Sequence, residues 1–492
     1  MTVVASPSDA SAPAPPPTPD APARPCTERT ARMSAITATA STSTLKESLK
    51  RGVFWNYGGL YFFYFAVWQI FFSFHGLWFK QAGLGETNIG LINTVMAITA
   101  LCLQPLYGYL QDRLGLRKHL FSFVVLCGAM VGPFFVIAFP ALMGWNVIGA
   151  SVIAGIYMSF VLLAGVSVVE AFNERASRAN GFEYGHARLF GSIAGGTITA
   201  VGGWIWTNVN PDSIWWAASF CALVLGVLLF VAKVPDGARQ AGVSDEPGEG
   251  ARVSKETIKS LLRDRSFVGF VVLMFGTAAL YDVFDQQFSI YFEQHVQSGD
   301  PVGLFANVVT IQIFAEAAVM LVAPWFVNKI GAKRGLQLFA AILVVRVLGS
   351  ALVTTTEALI AWRLLAAIEM PLMLVSVMKY ITRMFDVRIS ATAYMLGFGV
   401  AKSLGVAAFS LPFGAAYEAI GFSSSYLIMS VVIVAVTVAA SFLMRNDKGL
   451  LAPGQNDTDL ELDPALAELV PATPTVATST VDIEELSRVD RD

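Results

Sequence analysis

Twelve apolar stretches, each long enough to cross a bilayer as a helix, leave this chain very few possible folds. They fall at roughly 53 to 76, 87 to 111, 119 to 140, 146 to 171, 187 to 207, 212 to 233, 265 to 293, 303 to 327, 336 to 354, 358 to 382, 390 to 417 and 423 to 444. A spanning helix needs about 20 apolar residues, whereas a spanning strand needs only about 10. Inside hydrocarbon the backbone must satisfy its own hydrogen bonds, so stretches of this length cross as helices. Only 14% of the 492 residues are charged, against about 25% in soluble domains. An all-α membrane protein is expected, embedded in a lipid bilayer, with no nucleic-acid partner.

The polar segments divide the chain. Residues 1–44 are rich in Ala, Pro, Ser and Thr, and residues 446–492 are acidic, with Asp457, Asp459, Glu461 and Asp463. Both have too little apolar bulk to build a core and are expected to be disordered tails. The longest interruption between apolar stretches, at 234–264, carries Arg239, Arg252, Lys255, Lys259 and Arg263. It separates a six-helix half at 45–233 from another at 265–445.

Basic residues are confined to alternate loops. Those after segments 2, 4, 6, 8 and 10 include Arg113, Arg117, Lys118, Arg175, Arg178, Lys329, Lys333, Arg334, Arg383 and Arg388, whereas the others offer Lys80. The positive-inside rule therefore predicts a multi-pass protein of the cell membrane with both termini in the cytoplasm. No cleavable signal peptide is apparent, and the first spanning segment is expected to act as the targeting signal.

One loop carries a motif. Gly108-Tyr-Leu-Gln-Asp112-Arg113-Leu-Gly115-Leu-Arg117-Lys118 follows segment 2, with a weaker echo at Val327-Asn328-Lys329-Ile-Gly331-Ala-Lys333-Arg334 after segment 8. This repeat implies two parallel halves with a site at their interface. The first loop resembles the signature of the major facilitator superfamily. That resemblance implies a twelve-helix major facilitator fold in which Asp112 has a gating role.

Charges inside the spanning segments are expensive and mark candidate sites. Segment 7 carries Asp282 and Asp285, segment 8 Glu316, segment 9 Arg346, segment 10 Arg363 and Glu369, and segment 11 Lys402. Four acids against three bases leave one surplus acid, a candidate proton carrier. Plausible neighbourhood pairs Asp282 with Lys402 and Asp285 with Arg363, leaving Arg346 near Glu369 and Glu316. The first two pairs could be purely structural. Glu369, among Ala366-Ala367-Ile368 and Met370-Pro371, needs a proton or a movable basic neighbour, and Arg346 suits the second part. In the first half, Glu170 and Arg188 offer acceptors and forked donors suited to vicinal sugar hydroxyls, or else form an interfacial salt bridge.

More specific stretches follow. Tyr281-Asp-Val-Phe-Asp-Gln-Gln-Phe288, Val169-Glu-Ala-Phe172 with Phe182-Glu-Tyr-Gly185, Ala187-Arg-Leu-Phe-Gly191, and Lys379-Tyr-Ile-Thr382 resemble the lactose permease family of oligosaccharide/proton symporters, over roughly residues 52 to 445. The resemblance implies that Glu170 and Arg188 bind sugar hydroxyls. It also implies that Glu369 is the proton site, that Arg346 helps deprotonate it, and that Tyr281 neighbours both. Asp282 with Lys402 and Asp285 with Arg363 would be interhelical pairs.

Three positions depart from that family. Gly195 stands where its galactoside transporters have a stacking Trp, Ala366 where they have His, and Ile313 where they have an essential Glu. The change at Gly195 could reflect close Gly191-x-x-x-Gly195 helix packing. Glu316, with Gln312 on the same helix face, could take over the hydroxyl contacts of the missing carboxylate, and Trp68, Tyr64 or Phe65 could supply a stacking surface.

The expected function is uptake of a di- or oligosaccharide with protons by alternating access, with a specificity not identical to that of lactose permease, by a chain expected to act as a monomer. A sugar sensor without transport, or a proton-driven exporter of sugar or drug, remains open. No nucleophile with a paired base, no metal-ligand spacing and no true nucleotide loop occurs, so no enzyme, metal site or cofactor beyond the coupling proton is expected.

Overall fold

The computed structural model describes residues 49–114, 116–180, 182, 184–232, 255–296, 299–353, 355–385 and 387–447. The 1–44 tail, nearly all of the 446–492 tail and most of the 234–264 linker lie outside the described residues.

Among the described residues twelve elements are long and apolar enough to cross a membrane, the bent pair of α3 taken as one: α1 (Gly52–Gln81), α2 (Glu86–Gln111), α3 (His119–Ala129 with Pro133–Trp145), α4 (Val147–Ser177), α5 (Tyr184–Asn208), α6 (Ser213–Val231), α7 (Arg265–His295), α8 (Pro301–Ile330), α9 (Ala332–Leu352), α10 (Thr356–Met384), α11 (Thr392–Ile420) and α12 (Phe422–Leu443). They match the apolar stretches of the sequence, and the described residues hold no strand. This is the major facilitator fold. A short basic helix, Lys255–Arg263, leads into α7.

Local chemistry sets the helix ends. Asn146 accepts from the Gly149 amide at the start of α4, Asp264 from the amides of Ser266 and Phe267 at the start of α7, and Asp300 from Gly303 ahead of Pro301 in α8, each satisfying an amide that the first turn leaves unpaired. Helices α8 and α9 are joined by Gly331 alone, and α11 and α12 by Gly421 alone, at φ +92° and +80°, values that glycine adopts without a Cβ penalty.

Three crossings are interrupted in ways the apolar pattern does not reveal, α10 at the single turn residue Leu365. α3 bends by 43° at the break before Pro133. α4 loses its helical turn at 162–164, exposing carbonyls inside the membrane. The Tyr64 hydroxyl donates to the carbonyls of Val161 and Leu162 (3.0 and 3.1 Å), and Gln104 Nε2 to that of Leu163 (3.0 Å). Polar side chains therefore meet the demand that hydrocarbon cannot.

The two halves repeat one device. Lys118, in the loop after α2, donates its Nζ to the carbonyls of Phe230 and Ala232 at the end of α6. Lys333, at the start of α9, donates to those of Ser441 and Met444 at the end of α12. In each half a cation from the motif loop closes the C-terminus of the last helix, where orphan carbonyls and the negative end of the helix dipole favour it. In the first motif loop Arg113 also lies over the Tyr109 ring at 4.7 Å, Arg117 is exposed and Gly108 faces open space. Gly115 and the Asp112 side chain lie outside the described residues.

Asp447, two residues past the sequence boundary of the second half, is buried against the protein. Its carboxylate accepts from the amides of Ala332 and Lys333 and from Arg383 Nη1 (2.7, 2.8 and 2.9 Å). Arg383 in turn donates to Asn328. Burial acts to raise the Asp447 pKa, and the Lys333 and Ala332 amides with Arg383 outweigh it, holding the carboxyl below its ordinary range.

Between the halves, hydrogen bonds run at the end carrying the loops that are poor in basic residues. Thr87 N donates to Glu418, Thr94 Oγ1 to the Ala407 carbonyl, Gln287 to the Glu86 carbonyl and Thr207 to Asp300. Backbones of α2 and α11 touch here: a Cβ on Gly90 would lie 2.4 Å from the Ser410 carbonyl oxygen, and one on Gly414 would lie 2.5 Å from that of Glu86. Glycine at both positions permits the approach.

Candidate functional site

On the first half, the broken end of α4 and the start of α5 bring Glu170 and Arg188 together. Arg188 Nε donates to Glu170 Oε1 at 2.8 Å. The other carboxylate oxygen accepts from the hydroxyls of Tyr61 (2.7 Å) and Tyr184. Three donors thus hold the carboxylate, leaving about one of its four acceptor directions open. The guanidinium lies over the Phe65 ring at 4.1 Å. No acceptor among the described residues reaches its Nη1 or Nη2. Both side chains are partly exposed, 36% for Arg188 and 26% for Glu170. The open capacity here is therefore mainly a forked donor pair. Tyr61 and Tyr184 were not assigned a role from the sequence; Tyr184 falls within a quoted motif, but nothing in its spacing indicates that it bonds to Glu170.

On the second half, a buried cluster spans three helices. Arg346 of α9 donates Nε to Glu369 Oε1 of α10 (3.0 Å), with its Nη2 2.9 Å from Oε2 but not aligned for a second hydrogen bond. Neither side chain is solvent-exposed. Arg346 Nη1 also donates to Asp285 Oδ1 of α7 (2.9 Å), the oxygen that accepts from Arg363 Nη1 of α10 (2.6 Å). Tyr281 and Phe284 flank Arg346, whose guanidinium carbon is 5.0 and 4.7 Å from their ring centres. Lys402 Nζ lies 2.9 Å from Asp282. A π-helical turn at Met274–Ala278 precedes the two acids on α7, as such turns often do near functional sites.

The expected pairs Asp282–Lys402, Asp285–Arg363 and Arg346–Glu369 all form. The additional contact is Arg346 to Asp285, which joins two pairs into one network. Glu316, readable from the sequence as a substitute for the missing hydroxyl contacts or as a partner of Arg346 or Arg363, feels the charge of Arg363 but forms no salt bridge among the described residues. The network of Asp285, Glu369, Arg346 and Arg363 is balanced without it, and the surplus acid of the charge count is Glu316, half-buried on α8. Gln312, one turn earlier, is buried with its Oε1 unpartnered.

A sequence profile of the LacY proton/sugar symporter family matches residues 46–455. The chain belongs to this family. Raffinose permease of Escherichia coli is 35% identical over 403 residues, covering 81% of this chain and 94% of the permease. Lactose permease of Klebsiella oxytoca is 34% identical over 388 residues, and sucrose permease of Escherichia coli 30% over 403, with 93% and 95% of those proteins and 78% and 81% of this chain covered. Among solved structures, nucleoside transporter NupG (D323A mutant) superposes with TM-score 0.69 over 80% of this chain and 100% of that one at 14% identity, a likeness of fold.

Within this LacY-family site the two glycines of the Gly191-x-x-x-Gly195 pair have distinct surroundings. Gly191 is packed: a Cβ there would lie 2.7 Å from Arg188 Nη1 and 2.9 Å from Phe65. Gly195 is not; a Cβ there would meet nothing closer than Gln69 Oε1 at 3.5 Å and Ile313 at 3.6 Å. Close packing therefore explains the first glycine and not the second. Of the three proposed stacking rings, Tyr64 is buried and committed to the α4 break, Phe65 lies beneath Arg188, and Trp68 stacks on Phe72 at 3.8 Å. Ala366 is fully buried.

Proposed function

We propose that this member of the LacY family imports a di- or oligosaccharide together with protons, both termini facing the cytoplasm. The observation that carries the reading is one membrane-embedded chain holding a partly exposed Arg188–Glu170 pair with free forked donors and a buried Arg346–Glu369 pair. Arg188 Nη1 and Nη2 bind adjacent hydroxyls, with Glu170 oriented by Tyr61 and Tyr184 to accept one more. Glu369 carries the coupling proton and Arg346 displaces it, while Tyr281 shields the pair. Asp282, Asp285, Lys402 and Arg363 hold the helices in register. Gln312 and Glu316 add hydrogen-bonding capacity on the sugar side, and Glu316, which forms no salt bridge among the described residues, gives the site a second protonatable group.

With the basic loops in the cytoplasm, the hydrogen-bonded end of the two halves faces outward. The partial exposure of Glu170, Arg188 and Asp285 supports a site reached from the cytoplasm in this state. Alternation then requires the contacts of Thr87, Thr94 and Thr207 to break and the motif loop of Gly108, Asp112, Arg113, Gly115, Arg117 and Lys118 to close the opposite end.

The related raffinose, melibiose, sucrose and lactose permeases suggest the first test panel. Sugar counterflow in reconstituted vesicles, with alkalinisation of the medium by expressing cells as a second readout, tests the proposal. Exchange of one of these sugars with proton uptake supports it. Binding without flux would assign the protein to sensing instead.

A further inference from the structure

Gln69 lies half-buried on α1, one turn beyond Phe65, which underlies Arg188. Its amide orientation follows from its neighbours. The Thr199 hydroxyl donates to the Gly195 carbonyl (2.7 Å), so it can only accept from Ser73 Oγ, 3.4 Å away. Ser73 Oγ in turn accepts from Gln69 Nε2 (2.9 Å). The opposite end of the amide, Oε1, consequently points to Gly195, lying 3.5 Å from the position a Cβ there would occupy. No donor among the described residues reaches Oε1. Ile313, from the other half of the protein, borders the same space at 3.6 Å from that Cβ position.

We propose that Gln69 is a specificity-determining residue whose Oε1 accepts a hydroxyl from a glycosyl unit lodged beside Gly195. That unit turns a C–H face toward Ile313 and, from Gln69, extends to the Arg188 donors one helical turn away along α1. A directed acceptor in place of a flat aromatic surface selects the position of one hydroxyl rather than the face of one ring. The assignment rests on the sugar-symport reading, and it concerns a residue that neither the charge pattern nor the family motifs mark.

The test uses the full chain in proteoliposomes, the best-transported sugar of the panel and its monodeoxy analogues. One analogue should be transported by the wild type with kcat/KM lowered about tenfold or more, the scale of one lost hydrogen bond in a desolvated site. In Gln69→Leu the ratio between parent and that analogue should fall to about one, with KM for the parent raised and kcat little changed. Gln69→Glu, which keeps an acceptor, should retain the preference. If Gln69→Leu does not assemble, Ser73→Ala releases the amide and should weaken the same preference alone. Unchanged discrimination in an assembled Gln69→Leu or in Ser73→Ala would overturn the assignment. Failure of the wild type to exchange any sugar would instead overturn the symport reading on which it stands.

Discussion

Arg346 and Glu369 face each other in a part of the protein that water does not reach, and Arg346 holds Asp285 at the same time. If Glu369 carries the coupling proton as proposed, its protonation should release Arg346 toward Asp285, the second carboxylate that shares the guanidinium. Glu369→Gln removes the titration and keeps the shape. Accumulation driven by a proton gradient should fall to equilibrium, while sugar counterflow continues near the wild-type rate. Retained uphill accumulation would remove Glu369 from the coupling step.

Arg188→Lys keeps the charge and loses the fork. Because Nε serves Glu170 and no acceptor among the described residues reaches either Nη, a single ammonium cannot do both. The loss of about 1.5–3 kcal/mol expected for a charged hydrogen bond corresponds to an increase in KM of roughly 10- to 150-fold. Substrate-concentration dependence of counterflow measures this, and an unchanged KM would mean that Glu170–Arg188 is only a structural pair.

Glu316→Gln is expected to leave the protein as stable as the wild type, because no ion pair is broken. If Glu316 contributes a second protonatable group, the pH dependence of uptake should narrow toward that of Glu369 alone. A pH profile superimposable on wild type would confine Glu316 to hydrogen bonding.

Tyr64→Phe tests the interruption of α4. Loss of the hydroxyl leaves the Val161 and Leu162 carbonyls without their donor, at a cost of about 1–3 kcal/mol. Melting in detergent should drop by several degrees with sugar preference unchanged. A changed preference without destabilisation would instead place the Tyr64 hydroxyl at the sugar.

Asp447→Ala removes a helix cap and the partner of Arg383, and should destabilise by about 2 kcal/mol. The pH dependence has a definite sign. The folded carboxyl is held below its ordinary range, so the unfolded chain binds the proton more readily. The stabilisation is complete above about pH 4, the unfolded value, and is lost as pH falls through the lower folded value. Thermal melting of wild type and variant should therefore converge only in strongly acidic buffer, and a constant difference down to that range would refute the cap.

The sequence makes the spans, the two halves and most of the charge network legible, because a charge in hydrocarbon restricts its possible partners and apolar length alone defines a crossing. Asp282 with Lys402 and Arg346 with Glu369 could be read that way. Contacts that depend on which direction a helix face points were not legible. Nothing in the spacing places Asp285 between two arginines, isolates Glu316, or commits Tyr64 to carbonyls that only a broken turn exposes. Gly191 and Gly195 read alike as a small-residue pair, and only their neighbours distinguish a packed glycine from one that leaves room. Asp447 escaped for the converse reason, since local composition marks a tail and gives no sign that its first residues dock.

The matched caps of Lys118 on α6 and Lys333 on α12 bear on where the machine can bend. Each ties a motif loop to the far end of its own half, so neither loop can serve as a hinge without losing two hydrogen bonds. The joint left to move is the seam between α2 and α11 and between α5 and α8, once its Thr87, Thr94 and Thr207 contacts break. The protein therefore has few internal degrees of freedom, and a clamp placed across that seam should arrest the whole transport cycle, whereas a clamp within either half should leave it running.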